Sequence, residues 1–530
     1  MIAVSILTGL FVLSHAVLGN YTDHLGPSKD AAGVHGPQIF NAVHNAMRQW
    51  GSSVHHNGMS LFLATVPQGV LLYHGNMLPE SPSGPEWLAY EIEHAERFIR
   101  SFRGPPTHEK PSPECDSGEL PNQQKSMGGK SQSADGERGW LHVYQTTRPL
   151  RFLYVDGMSG GKTNMGTLDT QDFLLRGVRS SNQGDRDSGQ SCNGPMGERE
   201  RAKSLCELCK EWDLQGIIRM EAGFEIIKCD FTDGMEQIQA LQRPVSADRG
   251  DGNSELQRFE YLRGVSQRYF DIGSSRTIVD YSSMVSAFFF QLTLTNPDPN
   301  RPDLPRLSET TDAELGAIKR YLKTTIEQHQ IDSTRRIDWQ DVSDLFVSQY
   351  ADRLQYMAKF DTSVDLLASE TSFLLDLYVD YSSEDAAISS DSIHRCSNFF
   401  LHSISPVSES DHLIHLAFSE VMSQVCNTLF EIRELVTTHR DKDFAPDLAA
   451  EKLHELIEYL GWARFKHCSG CGIDEVCVIP MWPFGDEDDY YHPRCRSSSD
   501  LQSGKNYWGE LGFSGREDHN AVGASGSAAT

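Results

Sequence analysis

Apolar residues in the first half of the chain fall mostly in short runs, which are typical of β-strands. Strands are predicted at residues 59–66, 70–73, 86–90, 141–145, 150–155, 216–220 and 224–231. Two segments, 37–51 and 200–212, instead repeat apolar residues at helical spacing, and Pro37 suits a first helical turn. The pattern predicts one α+β domain over residues 35–235.

The second half has a different pattern, because apolar residues recur there every three or four positions. Helices are predicted at residues 313–328, 339–358, 364–381, 391–402, 412–437 and 447–463, within a helical domain spanning 255–466. A small Cys-rich segment follows at 467–495. The polar stretches 103–138 and 180–198 and the Ser/Gly-rich tail 496–530 are expected to be disordered. The predicted fold class is thus an α+β sheet domain followed by a mainly helical domain with a Cys-rich end.

The first residues indicate secretion. Residues 2–13 are mostly apolar and uncharged, and small residues suited to cleavage follow, so residues 1–19 are predicted to be a signal peptide. The apolar run is shorter than the ~20 residues of a spanning helix. An uncleaved anchor or a buried first helix is the alternative. A glycosylation sequon, Asn20-Tyr-Thr22, comes directly afterwards.

Charge and cysteine content narrow the function classes. A formal net charge of −27 argues against nucleic-acid binding and against anionic membrane surfaces. The eleven cysteines are expected mainly to form disulfides in an oxidising compartment. Because their number is odd, at least one thiol has no disulfide partner within the chain. The spacing of Cys468, Cys471, His492 and Cys495 also fits a zinc module. With a signal peptide and Cys477 nearby, two disulfides are favoured over zinc.

One segment has the outline of a phosphate-binding loop. Residues 156–163 follow a predicted strand and end in Lys162 and Thr163. The pattern requires glycine at its first position, where this chain has Asp156. A carboxylate there would repel phosphate, so we do not predict a nucleotide triphosphate site.

Three strand segments each carry a chemically useful side chain. His74 ends an apolar strand and is followed by Gly75, which lets a ligand approach the backbone. Trp87 lies in the next strand, and Glu225 lies between apolar neighbours in a later one. The alternatives are a surface turn at His74, a core position for Trp87 and a solvated or edge position for Glu225.

The order of these motifs over residues ~55–235 resembles the ADP-ribosyltransferase fold, whose sites carry a His, an aromatic residue and a Glu on three strands. Residues 147–153 and 214–219 resemble two further strands of such proteins. The resemblance implies that NAD is the substrate, held by His74 and Gly75, with Trp87 and Tyr90 at the aromatic site. Glu225, together with His74, would be catalytic and would stabilise the positive charge that develops as nicotinamide leaves.

The resemblance implies a secreted NAD-dependent ADP-ribosyltransferase or NAD glycohydrolase, with NAD and a protein acceptor as partners and no metal ligands. The chain departs from the family pattern at Asn76, at Trp87 in place of Tyr, and at Gly223, which makes arginine a doubtful acceptor. The whole chain also resembles a group of uncharacterised secreted fungal proteins. The alternative function is a secreted non-enzymatic protein that keeps the fold. An enzyme of this type requires His74, Trp87 and Glu225 to line one pocket.

Overall fold

The computed structural model describes residues 25–99, 139–179, 197–243, 254–268, 276–331, 337–359, 362–382, 390–438, 444–502 and 507–509. The predicted signal peptide, the sequon, residues 103–138 and most of 180–198 lie outside these ranges, as do Cys115 and Cys192.

A nine-stranded sheet forms the centre of the molecule. Its strands are β1 (Ser60–Val66), β2 (Leu71–Asn76), β3 (Glu86–Ala89), β4 (Trp140–Thr146), β5 (Leu150–Val155), β6 (Gly216–Met220), β7 (Phe224–Lys228), β8 (Met235–Gln242) and β9 (Ile278–Ser286). Their spatial order is β8-β4-β2-β3-β7-β6-β5-β1-β9. Neighbours are antiparallel except β5 and β6, which are parallel.

The register of the central strands fixes which side chains share a face. Glu225 of β7 is paired with Ala89 of β3 and with Arg219 of β6, and Ala89 is paired in turn with Tyr73 of β2. Directly paired residues project to the same side of a sheet, and neighbours along a strand project to opposite sides. We call the side that carries Tyr73, Ala89, Arg219 and Glu225 the inner face of the sheet and the other side the outer face.

Short helices cover the inner face. Helix α4 (Ile92–Ile99) packs so closely on β2 that a Cβ atom at Gly75 would lie 2.3 Å from the carbonyl oxygen of Ala95. Helix α5 (Glu198–Glu211) and a π-helix at Thr170–Leu175 also lie on this face, and a disulfide from Cys206 to Cys229 ties α5 to the chain just after β7.

Near β5, the outer face packs against the N-terminal helical segment. The first three helices of the described ranges are α1 (Lys29–Val34), α2 (Gly36–His44) and α3 (Gln49–Val54). Tyr154 projects from β5 to the outer face, where its hydroxyl accepts a hydrogen bond from the Met47 amide at 3.1 Å. The segment 37–51 is two helices rather than the single predicted one, because Met47 adopts a left-handed φ of 56° between them.

The second half is mainly helical, as predicted. After α6 (Ser254–Arg268) and β9 come α7 (Asp312–Ile331), α8 (Trp339–Met357), α9 (Val364–Leu375), α10 (Ser390–Asn398), α11 (Glu409–Thr438) and α12 (Ala445–Leu460). The buried indole of Trp339 donates to Asp411 at 2.9 Å and joins α8 to α11. A disulfide from Cys396 to Cys426 joins α10 to α11. The predicted α+β fold class is confirmed.

The Cys-rich segment contains β10 (Glu475–Val478), α13 (Glu487–Tyr491) and β11 (Arg494–Ser497). Disulfides join Cys468 to Cys477 and Cys471 to Cys495, which confirms the prediction of two disulfides in this segment. Cys209 of α5 is a buried free thiol.

Other features differ from the sequence-based expectation. Strand β8 begins at the predicted end of the α+β domain, residue 235, and β9 lies beyond it. The sequence pattern did not predict β9, because serines interrupt its apolar residues. Within the tail expected to be disordered, Tyr507 and Trp508 are buried, because their rings pack against His56. Among helices of the described ranges, none has the length and apolarity needed to cross a bilayer.

Candidate functional site

His74 and Glu225 project from opposite faces of the sheet. Tyr73, the neighbour of His74, belongs to the inner face with Ala89 and Glu225, so His74 projects to the outer face. Its ring lies 5.4 Å from that of Phe231 and 5.6 Å from that of His142. The register therefore does not bring the imidazole and the carboxylate together in one pocket.

The other residues expected to hold NAD are buried in packing contacts. Trp87 shares the inner face with Glu225, but its main-chain carbonyl accepts a hydrogen bond from Nδ1 of His74 at 2.9 Å. Gly75 is covered by α4. The Tyr90 hydroxyl lies 2.6 Å from that of Thr277, and burial raises the pKa of Tyr90. His74, Gly75, Trp87 and Tyr90 are therefore all buried in the protein core.

Glu225 is held by an arginine and faces a histidine. Nε and Nη2 of Arg219 lie 2.8 and 2.7 Å from Oε1 of Glu225. Nε2 of His94, on α4, lies 3.7 Å from Oε2. His94, Arg219 and Glu225 are all fully buried. Burial opposes ionisation of Glu225, but the charge of Arg219 outweighs it and lowers the pKa of the carboxyl group.

Arg219 also connects Glu225 to a larger set of charges. Arg219 donates to Glu198 at the start of α5, and Nη1 of Arg201 donates to the same carboxylate at 2.6 Å. Lys162 contacts Glu221 in the β6–β7 turn and lies 3.9 Å from Glu198. We name this set the buried charge cluster, and its members are His94, Lys162, Glu198, Arg201, Arg219, Glu221 and Glu225.

The cluster is sealed from solvent. Its side chains are at most 2% exposed. A surface hollow of about 760 Å³ next to Cys468 and Cys495 is lined by none of its members. A ligand the size of NAD would reach Glu225 only if α4 or α5 moved away from the sheet.

Electrostatics keep the cluster ionised in spite of its burial. Burial opposes ionisation of Glu198, but Arg219, Lys162 and Arg201 outweigh it and lower its pKa to about 2. For Lys162, burial dominates and lowers the pKa to about 8. Buried charges persist when opposite charges and hydrogen bonds replace the lost water, as they do here.

Sequence reasoning finds only Glu225 of this cluster, although part of the signal is present. Arg219 and Glu225 are paired across a hairpin and therefore share one face of the sheet, and Glu221 lies in the short turn between their strands. Glu198 falls at the end of a segment expected to be disordered, but it is fully buried at the first turn of α5. Lys162 lies in the segment that fails the phosphate-loop pattern, and only the tertiary fold brings it to Glu221.

The fold and the site define an α+β protein with a buried ionic core. Comparison with known proteins confirms that most of the chain resembles fungal proteins. The chain is 27% identical over 520 residues to uncharacterized protein YOR389W of Saccharomyces cerevisiae, covering 84% of this chain and 81% of that protein. It is 29% identical over 372 residues to uncharacterized protein YPL277C of the same yeast, covering 60% of this chain and 74% of that protein.

A family model described as the YPL277C N-terminal domain matches residues 16–139 and 106–249. No solved structure matches the chain. These findings carry no link to ADP-ribosyltransferases. They support a relationship to this yeast group without assigning an activity.

Proposed function

We propose that this chain is a secreted, non-enzymatic protein that keeps its fold without NAD chemistry. The observation that carries the proposal is the placement of His74 and Glu225 on opposite faces of one sheet. An NAD site of the type considered above needs both groups within reach of one ribose. Here the sheet itself lies between the His74 imidazole and the Glu225 carboxylate.

The state of Glu225 supports the same proposal. Its Oε1 is held by Arg219, and both side chains are fully buried. A carboxylate that stabilises a developing positive charge must face the reacting sugar. This carboxylate instead neutralises a permanent cation of the protein. Four disulfides among the described residues fit the oxidising compartment that secretion implies.

NAD glycohydrolysis or ADP-ribosyl transfer to a protein acceptor is the second candidate. It is favoured by Trp87, Gly75 and Glu225, which share the inner face by register. This function requires α4 to leave β2, because α4 covers Gly75 and places His94 against Glu225. NAD would then enter from the side that α4 now occupies.

An NAD-cleavage assay separates the two candidates. Purified full-length protein is incubated with NAD, and free nicotinamide is quantified by chromatography for the wild type and Glu225→Gln. We expect no release above the buffer background for either protein. Nicotinamide release by the wild type that falls ~10²-fold in the variant, with folding intact, would contradict the proposal, because electrostatic stabilisation of the transition state has that magnitude.

A further inference from the structure

Three members of the buried charge cluster converge on one point. His94 comes from α4, Glu221 from the β6–β7 turn and Glu225 from β7. One ligand atom of each lies within 4.8 Å of those of the other two. Gly223 permits this approach because it has no side chain. A Cβ atom there would lie only 3.3 Å from Cγ of His94.

The outer contacts of these side chains orient the remaining atoms toward one another. Nδ1 of His94 lies 2.9 Å from the hydroxyl of Tyr261, on α6, which leaves Nε2 directed at the carboxylates. Arg219 occupies Oε1 of Glu225, which leaves Oε2. Metal-bound histidines are held in this manner through their second nitrogen, which fixes the tautomer and the ring orientation.

The atoms directed at this point lack hydrogen bonds within the part of the chain that the structure describes. They are Nε2 of His94, Oε2 of Glu225 and Oε2 of Glu221, whose other oxygen contacts the ammonium group of Lys162. Each residue is at most 1% exposed. Buried polar atoms are nearly always hydrogen-bonded, so several that meet at one point indicate a missing ligand. The separation of 3.7 Å between Nε2 and Oε2 is too long for a hydrogen bond and fits two ligands of one ion.

We propose that His94, Glu221 and Glu225 bind one divalent transition-metal ion that ties α4 to the β6–β7 hairpin. One imidazole and two carboxylates suit ions such as Zn²⁺ or Mn²⁺, whereas Mg²⁺ and Ca²⁺ prefer oxygen ligands alone. Because the surrounding side chains seal the point from solvent, the ion has a structural role.

Lys162 competes with this ion. Its ammonium group contacts Glu221 and lies 4.9 Å from the ring centroid of Trp482. In the metal-free protein this cation neutralises Glu221, and a bound divalent ion repels it. Replacing Lys162 by an uncharged side chain of similar length is therefore expected to strengthen metal binding. If Lys162 and the carboxylates formed only a structural ion pair, the replacement would create no metal affinity.

The test measures metal content by mass spectrometry in tag-free, full-length protein supplied with Zn²⁺ or Mn²⁺ and then gel-filtered. We expect about one ion per chain in the wild type, as a single structural site requires. The ion should be lost in His94→Gln and Glu221→Gln. His142→Gln is the matched control, because His142 is an equally buried histidine whose partners are Asn76 and Leu78. It should retain the ion.

Two further measurements do not depend on the folding of His94→Gln and Glu221→Gln. In the wild type, a chelator should lower the melting temperature, and Zn²⁺ or Mn²⁺, but not Mg²⁺, should restore it. Lys162→Met should bind the ion about tenfold more tightly or better, which corresponds to about 1.4 kcal/mol, because one repelling charge is removed. A wild type without metal and without a thermal response overturns the proposal. Metal that survives both His94→Gln and Glu221→Gln, as an adventitious surface ion would, also overturns it.

Discussion

At the scale of single residues, the protein contains two kinds of buried acid. Glu198 keeps its charge because Arg219, Lys162 and Arg201 surround it. Asp156, in the loop after β5, has the Ser60 amide as a donor to its Oδ1 at 2.8 Å. That hydrogen bond does not offset burial, which raises the pKa of Asp156 to about 7. The first acid stabilises the fold when ionised, and the second does so when protonated.

The elevated pKa predicts a specific pH dependence for Asp156→Asn. The folded wild type holds its proton up to about pH 7, whereas the unfolded chain releases it near its ordinary pKa of 3.8. Stability contributed by the protonated acid is therefore fully present below that lower value and is lost as the pH rises through 7. Relative to Asp156→Asn, the wild type should lose roughly 2–4 kcal/mol of unfolding free energy between pH 4 and pH 8.

Urea denaturation at several pH values measures this difference. Asp213→Asn is the control, because Asp213 is exposed, and its difference from the wild type should stay nearly constant with pH. A constant difference for Asp156→Asn as well would show that Asp156 is ionised in the fold at all these pH values.

At the scale of elements, helix ends depend on glycine where the backbone turns left-handed. Helix α12 ends at Gly461, which has a φ of 53° and whose carbonyl accepts a hydrogen bond from Nε2 of His55 at 3.0 Å. A Cβ atom at this position would meet no atom closer than 3.8 Å. The conformation rather than space therefore requires glycine at position 461.

Two glycine-to-alanine changes should have opposite signs. Gly461→Ala should lower the unfolding free energy by about 1 kcal/mol, because alanine is strained at positive φ. Gly33 lies inside α1, where an added Cβ atom would have no other atom within 4 Å, so Gly33→Ala should raise it by up to ~1 kcal/mol. Urea denaturation compares the two, and an unchanged or higher stability of Gly461→Ala would show that the end of α12 is not specified by backbone conformation.

Helices and strands could be predicted from the sequence where the hydrophobic periodicity was unbroken. The buried charge cluster could not be predicted in this way. The strands from β1 to β7 and the long helices follow from periodicity, because burial of one face imposes it. β9 was missed because Ser282 and Ser283 interrupt its apolar pattern. The charge cluster was missed because Lys162 and His94 are distant in sequence from Glu221, and no local pattern reports such a contact.

At the scale of the whole molecule, the sheet separates His74 from Glu225, two residues that the sequence pattern assigns to one site. The inner face carries Glu225 under α4 and α5, and the outer face carries His74 beside Phe231. Helices α7 and α11 of the second half pack on the edge strand β9, and disulfides fix α5 to the sheet and α10 to α11. Chemistry at Glu225 is therefore separated from His74 by the sheet itself, which is the central claim about this protein.

A crystal structure of the full-length protein grown with excess NAD tests that claim most directly. The predicted result is His74 packed against Phe231, Glu225 bound to Arg219 beneath His94 on the opposite side of the sheet, and no NAD between them. Electron density for NAD bridging His74 and Glu225 in one cleft, with α4 displaced from β2, would contradict the claim.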